Sequence, residues 1–296
     1  MTLKEFHNKF DAQMNKAIWN ALAEDRALFD ITSNLLFKDF PGTKKTKAKL
    51  LCKEDCILAG LGIFEKVYGQ LYDGIRFKRY YNDGEWIEKD SIVAEIEGPV
   101  IPLLQGERTA LNFLQRMSGI ATITNKFVSM RKFVNSKILP TRKTTPNFRL
   151  FELLAVKLGG GDFHRFSLDS SVMVKDNHIA AAGSFEEVLR QIRSTVLSKK
   201  LKHNLEIEVK SVNELKLLLK NVKGIIKIVM LDNFSPKMIE KAMRLLHGSS
   251  LKIEVSGGIN LHNFNKYQHP DVDFYSIGML THSYKSIDFS LEFIDF

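Results

Sequence analysis

The chain has 296 residues, of which 44% are hydrophobic and 26% are charged, proportions that are ordinary for a globular protein. No apolar run reaches the roughly 18 residues that a membrane-spanning helix needs, and the acid-containing, amphipathic N-terminus is unlike a secretory signal. We therefore expect a cytoplasmic protein with no membrane partner. The length allows one large domain or two smaller ones.

The net charge of +9 raises nucleic acid as a possible partner. Most lysines are scattered, however, and the one dense cluster (Lys44, Lys45, Lys47 and Lys49) lies beside a Pro-Gly turn with no aromatic residues between its lysines. Single-stranded nucleic acids are bound by basic and aromatic side chains together, so we expect no nucleic-acid partner. Part of the excess charge is instead expected to attract an anionic substrate.

The only cysteines are Cys52 and Cys56. Two thiols at this spacing cannot close a zinc site unaided, and nothing indicates an extracellular disulfide framework. We expect both to be reduced, structural thiols.

The first third of the chain predicts a small α+β domain. Apolar residues at helical spacing indicate an amphipathic helix over residues 4–24. Short segments rich in β-branched and aromatic residues follow and indicate an antiparallel sheet, with turns at residues 82–84 and 98–99 and a helix over 61–73. The next segment, 106–134, predicts a helix that breaks or bends at Ser118-Gly119.

Beyond residue 134, predicted strands and helices alternate. The strands are expected at 137–140, 171–175, 205–209, 225–231, 251–255 and 272–277, and the helices at 148–158, 184–197, 211–221, 235–246 and 260–267. From residue 205 onward the strands recur every 20 to 25 residues. That spacing is typical of successive β-α units in a parallel sheet, either open or closed as a barrel.

Each of the six predicted strands is followed at its carboxyl end by a residue that could bind a ligand. In chain order these are Arg142-Lys143, Lys175, Glu208, Asp232, Ser256-Gly257-Gly258 and Gly278. In α/β barrels the active site lies at this end of the strands. Glu206 and Glu208 share one face of their strand, and packing alone explains such an acid pair poorly because an unpaired buried carboxylate is costly.

The cations of residues 141–178 come in pairs at the edges of apolar segments. Arg142-Lys143 follow one predicted strand, and His164-Arg165 follow the glycines 159–161, which let the backbone approach a ligand closely. A guanidinium group binds a carboxylate through two parallel hydrogen bonds. Two arginines in one site therefore favour a substrate with more than one carboxylate.

The two glycine clusters after the last two predicted strands suggest a phosphate site. Ser256-Gly257-Gly258 precede a predicted helix, and backbone N–H groups at such a place bind anions. Gly278 follows the next strand. This tandem position is where α/β barrels usually bind phosphate.

With these residues assembled, the chain resembles the quinolinate phosphoribosyltransferase family over nearly its whole length. The resemblance is carried, in family order, by the motifs GERTALNFLQRMSGIAT, TRKTTP, GGG..HR, VKDNH, EIEV, LDNFS, SGGIN and SIGMLTHS. It implies a pentosyltransferase that uses Mg2+ to transfer phosphoribosyl from phosphoribosyl pyrophosphate to quinolinate. The products would be nicotinate mononucleotide, pyrophosphate and CO2, in NAD biosynthesis.

The resemblance also implies an architecture. It predicts an N-terminal α/β sandwich over residues 1–114, with which 283–296 would pack, and an incomplete, TIM-like parallel α/β barrel of about six strands over 115–282. The functional unit would be a homodimer, or a hexamer that contains it, in which one subunit's N-terminal domain covers the other's barrel mouth.

Residue roles follow from the matching motifs. Arg142, His164 and Arg165 would hold the quinolinate carboxylates, with Arg108 arriving from the partner subunit. Lys143 and Lys175 would neutralise carboxylate and pyrophosphate charge. Glu208 and Asp232 would hold the ribose hydroxyls and Mg2+, directly or through substrate and water. Ser256, Gly257, Gly258, Gly278 and His282 would receive phosphate.

The chain departs from the family pattern at three positions. Pro140 stands where the family usually has Asp, and Asn147 and Ser167 stand where it usually has Gly. Three alternative functions compete with this one: a barrel-sharing enzyme linked to molybdenum uptake, a non-catalytic binding protein and a nucleic-acid binder. The Lys-Asp-Asn-His and Leu-Asp-Asn-Phe patterns disfavour the first, and the intact Lys143, Lys175, Glu208 and Asp232 disfavour the second.

Overall fold

A computed structural model describes residues 1–37, 45–198, 205–221 and 225–295 of the protein. The chain forms two compact units. Unit 1 contains residues 1–125, 144–161 and 280–296, and unit 2 contains residues 126–143 and 162–279. The division at residue 114 that the sequence suggests stays a prediction.

The helices alternate with strands along most of the chain. The helices are α1 (Leu3–Glu24), α2 (Ile31–Leu36), α3 (Leu61–Leu71), α4 (Val100–Met130), α5 (Arg149–Leu158), α6 (Asp176–Ala182), α7 (Phe185–Ser198), α8 (Val212–Asn221), α9 (Pro236–Leu246), α10 (Phe264–Tyr267) and α11 (Met279–His282). The strands are β1 (Lys45–Cys52), β2 (Cys56–Ile57), β3 (Arg76–Arg79), β4 (Trp86–Ile87), β5 (Ile92–Pro99), β6 (Lys137–Leu139), β7 (Val172–Val174), β8 (Leu205–Val209), β9 (Ile228–Asp232), β10 (Lys252–Ser256), β11 (Phe274–Ser276) and β12 (Phe289–Asp295). None of the helices in the described ranges has the length and hydropathy needed to cross a bilayer.

Unit 1 is built on an antiparallel sheet with the strand order β12-β1-β5-β3. The C-terminal strand β12 therefore pairs with β1 near the start of the chain. Side chains alternate along β1, so Lys45 and Lys47 are exposed and Lys49 and Leu51 are half-buried, whereas the four residues between and after them are buried. Lys44 and the predicted Pro-Gly turn at residues 41–42 lie outside the described residues.

Helix α1 confirms the predicted amphipathic helix. It buries Phe6, Phe10, Met14, Ile18 and Leu22 on one stripe and begins at a capping box formed by Thr2 and Glu5. The two thiols of this unit, Cys52 and Cys56, are both buried and free, and their sulfur atoms lie 3.6 Å apart.

The sequence predicted that the helix breaks or bends at Ser118-Gly119; the break is wrong, because α4 continues from Val100 to Met130. The Ser118 hydroxyl donates to the carbonyl of Ala59 (3.2 Å) and accepts from its N–H (3.1 Å). At Gly119 a Cβ atom would lie only 3.0 Å from the carbonyl carbon of Lys285. The Ser-Gly pair thus reflects close packing of other segments against the helix.

Unit 2 contains a parallel sheet with the strand order β6-β11-β10-β9-β8-β7. Apart from β6, the strands stand in chain order, as in an α/β barrel. Strands β6 and β7 follow each other in sequence but occupy opposite edges of the sheet. This confirms the predicted α/β class with a six-stranded, incomplete barrel.

The two faces of this sheet differ sharply in chemistry, because side chains alternate along each strand. One face carries buried apolar residues on β6 and on β8 to β11: Ile138, Ile207, Val209, Val229, Leu231, Ile253, Val255 and Tyr275. The other face carries the acids and hydroxyls: Glu206, Glu208, Asp232, Glu254, Ser256 and Ser276. Helices that flank a sheet bury an apolar stripe, as α9 does with Ile239, Ala242, Met243 and Leu246. The polar face is therefore the one available for a ligand.

Candidate active site

The strand register of unit 2 brings most of the predicted site residues to one edge of the sheet. Asp232, Ser256 and Ser276 stand side by side at the carboxyl ends of β9, β10 and β11. Lys175 directly follows β7 as the first residue before α6, and Arg142-Lys143 follow β6. Because all six strands are parallel, these residues share the end where barrel enzymes bind substrate.

A lysine compensates the buried carboxylate of β8. The Nζ atom of Lys175 lies 3.2 Å from Oε2 of Glu208, whose side chain is only 6% exposed. A buried carboxylate without such a cation would be strongly destabilised. The Lys175 ammonium is itself half exposed, so it remains within reach of an incoming anion.

The Leu-Asp-Asn and Ser-Gly-Gly motifs pack against one another. Asn233 adopts a left-handed conformation (φ 55°), donates its side-chain N–H to Asp232 (2.6 Å) and donates its backbone N–H to the carbonyl of Ser256 (2.9 Å). Gly257 also has a positive φ of 95°, and a Cβ atom there would lie 2.7 Å from the Asn233 nitrogen. The glycine therefore lets Asn233 hold the Asp232 carboxylate in place.

A second lysine, which sequence reasoning missed, joins this group. Lys210 follows β8, and its Nζ atom lies 2.6 Å from Oδ2 of Asp176. Its bond to Asp176, with smaller contributions from Glu208 and Asp232, raises the pKa of Lys210. The only signal in the sequence was its place directly after a strand.

His164 lies between two buried carboxylates of the polar face. Its Nε2 atom is 3.1 Å from Oε2 of Glu254 and 3.5 Å from Oε2 of Glu206. Burial disfavours the charged imidazolium, but the interactions with Glu206 and Glu254 outweigh it and raise the pKa of His164 to about 10. Burial also raises the pKa of Glu206. The two carboxylates therefore favour the charged imidazolium at this position.

Glu254 is the main residue that sequence reasoning missed. It stands two residues before Ser256 on an apolar strand, as Glu206 stands two residues before Glu208. An isolated acid inside a buried strand was therefore a usable signal. Its partner, His164, comes from a loop and could not be identified from the pattern.

Arg165 is held by the backbone of its own loop. Its Nε and Nη2 atoms donate to the carbonyls of Ser167 and Leu168, each at 3.1 Å. Burial, followed by the nearby positive charge of Arg142, lowers the pKa of Arg165. Two guanidinium groups that repel one another in the free protein are suited to bind an anion with two negative groups.

The glycines proposed to bind phosphate precede a helix that is shorter than expected. The predicted helix over 260–267 is regular only from Phe264 to Tyr267. A turn comes first, in which the Asn260 side chain accepts from the N–H groups of His262 (3.0 Å) and Asn263 (3.1 Å). Gly258 is exposed with a φ of 64°, and Gly278 lies between β11 and α11.

Two predicted site residues, Arg108 and His282, belong to unit 1 and not to unit 2. Arg108 is exposed on α4 and lines a cavity of about 970 Å3, together with Lys16, Arg116 and Phe148 of the same unit. His282 is exposed at the end of α11, where its Nδ1 atom lies 2.6 Å from the Ser283 hydroxyl.

The second half of the Thr-Arg-Lys-Thr-Thr-Pro motif is anchored inside unit 1. Glu152, fully buried on α5, accepts from the backbone N–H of Thr145 (3.2 Å) and from Nη2 of Arg116 (2.6 Å). Arg116 also donates to the Thr145 hydroxyl. Asn147 has a φ of 63°, a conformation that asparagine tolerates better than most residues. Asparagine can therefore adopt here a left-handed conformation that a glycine would also allow.

Comparisons with known proteins decide the family. The C-terminal domain of quinolinate phosphoribosyl transferase matches residues 120–292, and its N-terminal domain matches residues 30–118. The chain belongs to the quinolinate phosphoribosyltransferase family. This confirms the resemblance drawn from the motifs.

Members of the quinolinate phosphoribosyltransferase family are similar to this chain over almost its full length. A probable nicotinate-nucleotide pyrophosphorylase [carboxylating] of Methanocaldococcus jannaschii is 39% identical, over 94% of this chain and 96% of its own. A mitochondrial quinolinate phosphoribosyltransferase [decarboxylating] of Nicotiana tabacum is 34% identical, over 92% of this chain and 80% of its own. The crystal structure of NadC from Streptococcus pyogenes has a TM-score of 0.85 and 37% identity, and 98% of each chain is covered.

Proposed function

We propose that the protein transfers the phosphoribosyl group of phosphoribosyl pyrophosphate to quinolinate, with loss of CO2, to give nicotinate mononucleotide and pyrophosphate. Membership of the quinolinate phosphoribosyltransferase family supports this reaction. The structural observation that carries the proposal is the set of opposite charges at one end of the unit 2 sheet. Carboxylates on β8 and β9 lie between cations that follow the edge strands β6 and β7, which suits a dicarboxylate and a sugar pyrophosphate bound side by side.

The quinolinate would be bound by the cations of the first loops. Arg142 and Arg165 each offer a fork of N–H donors, and the imidazolium of His164 adds a third positive charge. Lys143 would neutralise carboxylate charge. The proximity of Arg142 and Arg165, seen in the effect of one on the pKa of the other, supports a shared dianionic ligand.

The donor set also fits Mg2+. Glu208 and Asp232 supply carboxylate oxygens on neighbouring strands of one face, and Mg2+ is typically held by one or two carboxylates together with substrate phosphates and water. We propose that these two residues hold the ion and the ribose hydroxyls, directly or through substrate and water. When bound, Mg2+ would stabilise the pyrophosphate leaving group.

Phosphate would be received at the last two loops, by Ser256, Gly257, Gly258 and Gly278 with His282. The positive φ values of the two adjacent glycines expose backbone there without side chains in the way. Lys175, half exposed beside Glu208, is placed to accompany the pyrophosphate.

The protein's own residues have two tasks in the chemistry. Departure of pyrophosphate leaves positive charge on the ribose carbon, which the carboxylates of Glu208 and Asp232 can stabilise, while Lys175 stabilises the leaving group. Loss of CO2 from the ribosylated ring leaves a carbanion on the carbon next to the ring nitrogen, and the positive charge of that nitrogen stabilises it. A proton from solvent then takes the place of the lost carboxylate. The protein therefore mainly positions the reactants, and no covalent nucleophile is required.

The site is proposed to be completed in a cytoplasmic homodimer, or in a hexamer that contains it. Arg108 belongs to unit 1 and is exposed, which leaves it available to a partner subunit's quinolinate. We propose that it reaches the partner's site from there.

The direct test is incubation of the purified protein with quinolinate, phosphoribosyl pyrophosphate and Mg2+. Nicotinate mononucleotide and CO2 are expected in equal amounts, and omission of Mg2+ with added chelator is expected to slow their formation strongly. Absence of both products with all components present would overturn the proposal.

A further inference from the structure

The buried acids around His164 are unusual for a protein interior. Glu254 is 0% exposed and Glu206 only 2% exposed, and both stand on the polar face of the sheet. Among the described residues, three oxygens of this pair have no hydrogen-bond partner: Oε1 of Glu206 and both oxygens of Glu254. Oε2 of Glu254 nevertheless lies 3.1 Å from Nε2 of His164, so the two side chains interact as an ion pair. Buried carboxylate oxygens without hydrogen bonds destabilise the folded protein, so we expect these two acids to have a function that offsets this cost.

We propose that Glu254, together with Glu206, holds the His164 imidazolium in place and thereby positions Arg165 for binding the quinolinate carboxylates. Glu254 is then a positioning residue that acts through His164 and does not touch substrate. The inference rests on the function proposed above and assigns Glu254, which neither the motifs nor the comparisons single out, a part in substrate recognition.

The anchoring of the loop carries the argument. At residue 162 the backbone N–H donates to the carbonyl of Ile138 on β6 (2.9 Å), and the Asp162 side chain pairs with Lys137 (2.7 Å). Two residues later, His164 contacts β8 and β10 through the two carboxylates. The segment is thus fastened to the edge and to the middle of the sheet, and Arg165 comes directly after the second anchor.

The charges that surround His164 favour an imidazolium over a metal ion at this place. The facing acids are Glu206 and Glu254, and Lys175 acts on Glu206 from the side of β7. Arg165, the next residue in the chain, acts electrostatically on Glu206, and Arg142 lies close enough to act on Arg165. A divalent cation between the three side chains would be repelled by these neighbours, whereas a monovalent imidazolium balances the acids more evenly.

The first test measures the protonation of His164 in the wild-type protein. In 15N-histidine-labelled protein, the His164 ring signal is assigned by its loss in His164→Gln. We expect a doubly protonated ring at pH 8, where the other seven of the eight histidines serve as internal references. A neutral ring at pH 8 would overturn the proposal. So would one equivalent of tightly bound metal per chain, which would show the cluster to be a metal site.

The second test is kinetic and uses Glu254→Gln, which keeps the shape of the side chain and removes its charge. The KM for quinolinate is expected to rise about tenfold or more, as for other residues that orient a binding group from behind, with smaller changes in kcat. The KM for phosphoribosyl pyrophosphate should change less than about twofold, since its proposed ligands lie on other loops. The exposed Glu240→Gln is the matched control.

Two results of this experiment count against the inference. An unchanged KM for quinolinate would remove Glu254 from substrate recognition, and equal rises in both KM values would show a general structural role. If Glu254→Gln does not fold, Glu254→Asp, which keeps the charge but shortens its reach, must show the same selective rise in KM. A wild-type protein that forms no nicotinate mononucleotide would instead refute the proposed function. The His164 ring signal would still test whether Glu206 and Glu254 hold a protonated His164, an arrangement called the His164 clamp below.

Discussion

The ammonium nitrogen of Lys175 lies 3.2 Å from Oε2 of Glu208, joining the loop after β7 to the buried end of β8. The two groups compensate one another in the free protein. In the proposed reaction each has another partner, because Lys175 would accompany the pyrophosphate and Glu208 the ribose and Mg2+. Substrate binding is therefore expected to exchange this internal ion pair for contacts with two parts of the same ligand.

A shared site between subunits predicts complementation of inactive variants. Lys175→Ala removes a cation from unit 2, and Arg108→Ala removes one from unit 1. Each homodimer should lose at least about 100-fold in kcat/KM, since both proposed roles stabilise charge on the ligand. Mixed dimers should recover up to about half of the sites, because one of the two sites then contains both wild-type residues. Mass spectrometry would verify that the subunits have exchanged. If activity does not recover after verified exchange, the shared site is contradicted.

Arg165→Ala should abolish turnover with little loss of stability. The guanidinium group bonds only to the backbone of its own loop in the described structure, so its removal leaves no buried partner exposed. We expect kcat/KM to fall about 100-fold or more through lost orientation of the carboxylates, with the Tm nearly unchanged. Arg190→Ala on α7, where the arginine pairs with Glu187 on the surface, is the control and should retain activity. Near-normal kcat/KM in the Arg165 variant would remove it from the site.

The two adjacent glycines should respond differently to alanine. Gly257→Ala forces a side chain into a φ of 95° and against Asn233, whereas Gly258→Ala meets no atom within 4 Å and costs only its φ of 64°. Gly258→Ala should lower the free energy of unfolding by about 1 kcal/mol. Gly257→Ala should lower the free energy of unfolding by roughly 2 kcal/mol more than Gly258→Ala does, because neighbouring backbone must move. Urea denaturation of both variants measures the difference, and equal losses would show that the Asn233 contact is unimportant.

The His164 clamp, formed by Glu206 and Glu254, predicts that the free energy of unfolding depends on pH. The pKa of His164 is raised from 6.5 to about 10 in the folded protein, so the folded state binds this proton more tightly than the unfolded state. The resulting stabilisation is complete below pH 6.5 and is lost as the pH rises towards 10. Glu254→Gln removes one of the groups that raise this pKa.

The quantity to measure is the free energy of unfolding of the wild type minus that of Glu254→Gln. It should decrease by on the order of 1–2 kcal/mol between pH 6.5 and 10. The same difference for Glu240→Gln should stay constant, because that carboxylate is exposed on α9 and is not among the groups that act on His164. A constant difference for Glu254→Gln would mean that its carboxylate does not raise the pKa of His164.

The sequence was informative wherever local chemistry alone decides the outcome. Hydrophobic periodicity predicted α1 and the strands of unit 2 to within a few residues, because burial of one face requires that spacing. Ligand groups at the ends of parallel strands predicted where Lys175, Glu208 and Asp232 would meet. The ordered motifs identified the family, since each fixes several residues at once.

The tertiary structure decided what depends on segments that are far apart in the chain. The Ser118-Gly119 pair looked like a helix break, but its small side chains serve packing against Ala59 and Lys285. Glu254 was overlooked because its partner His164 lies 90 residues away, on a loop whose path no local pattern specifies. Local propensity determines which elements form, but the contacts between elements determine which buried charges meet and hence what each charge does.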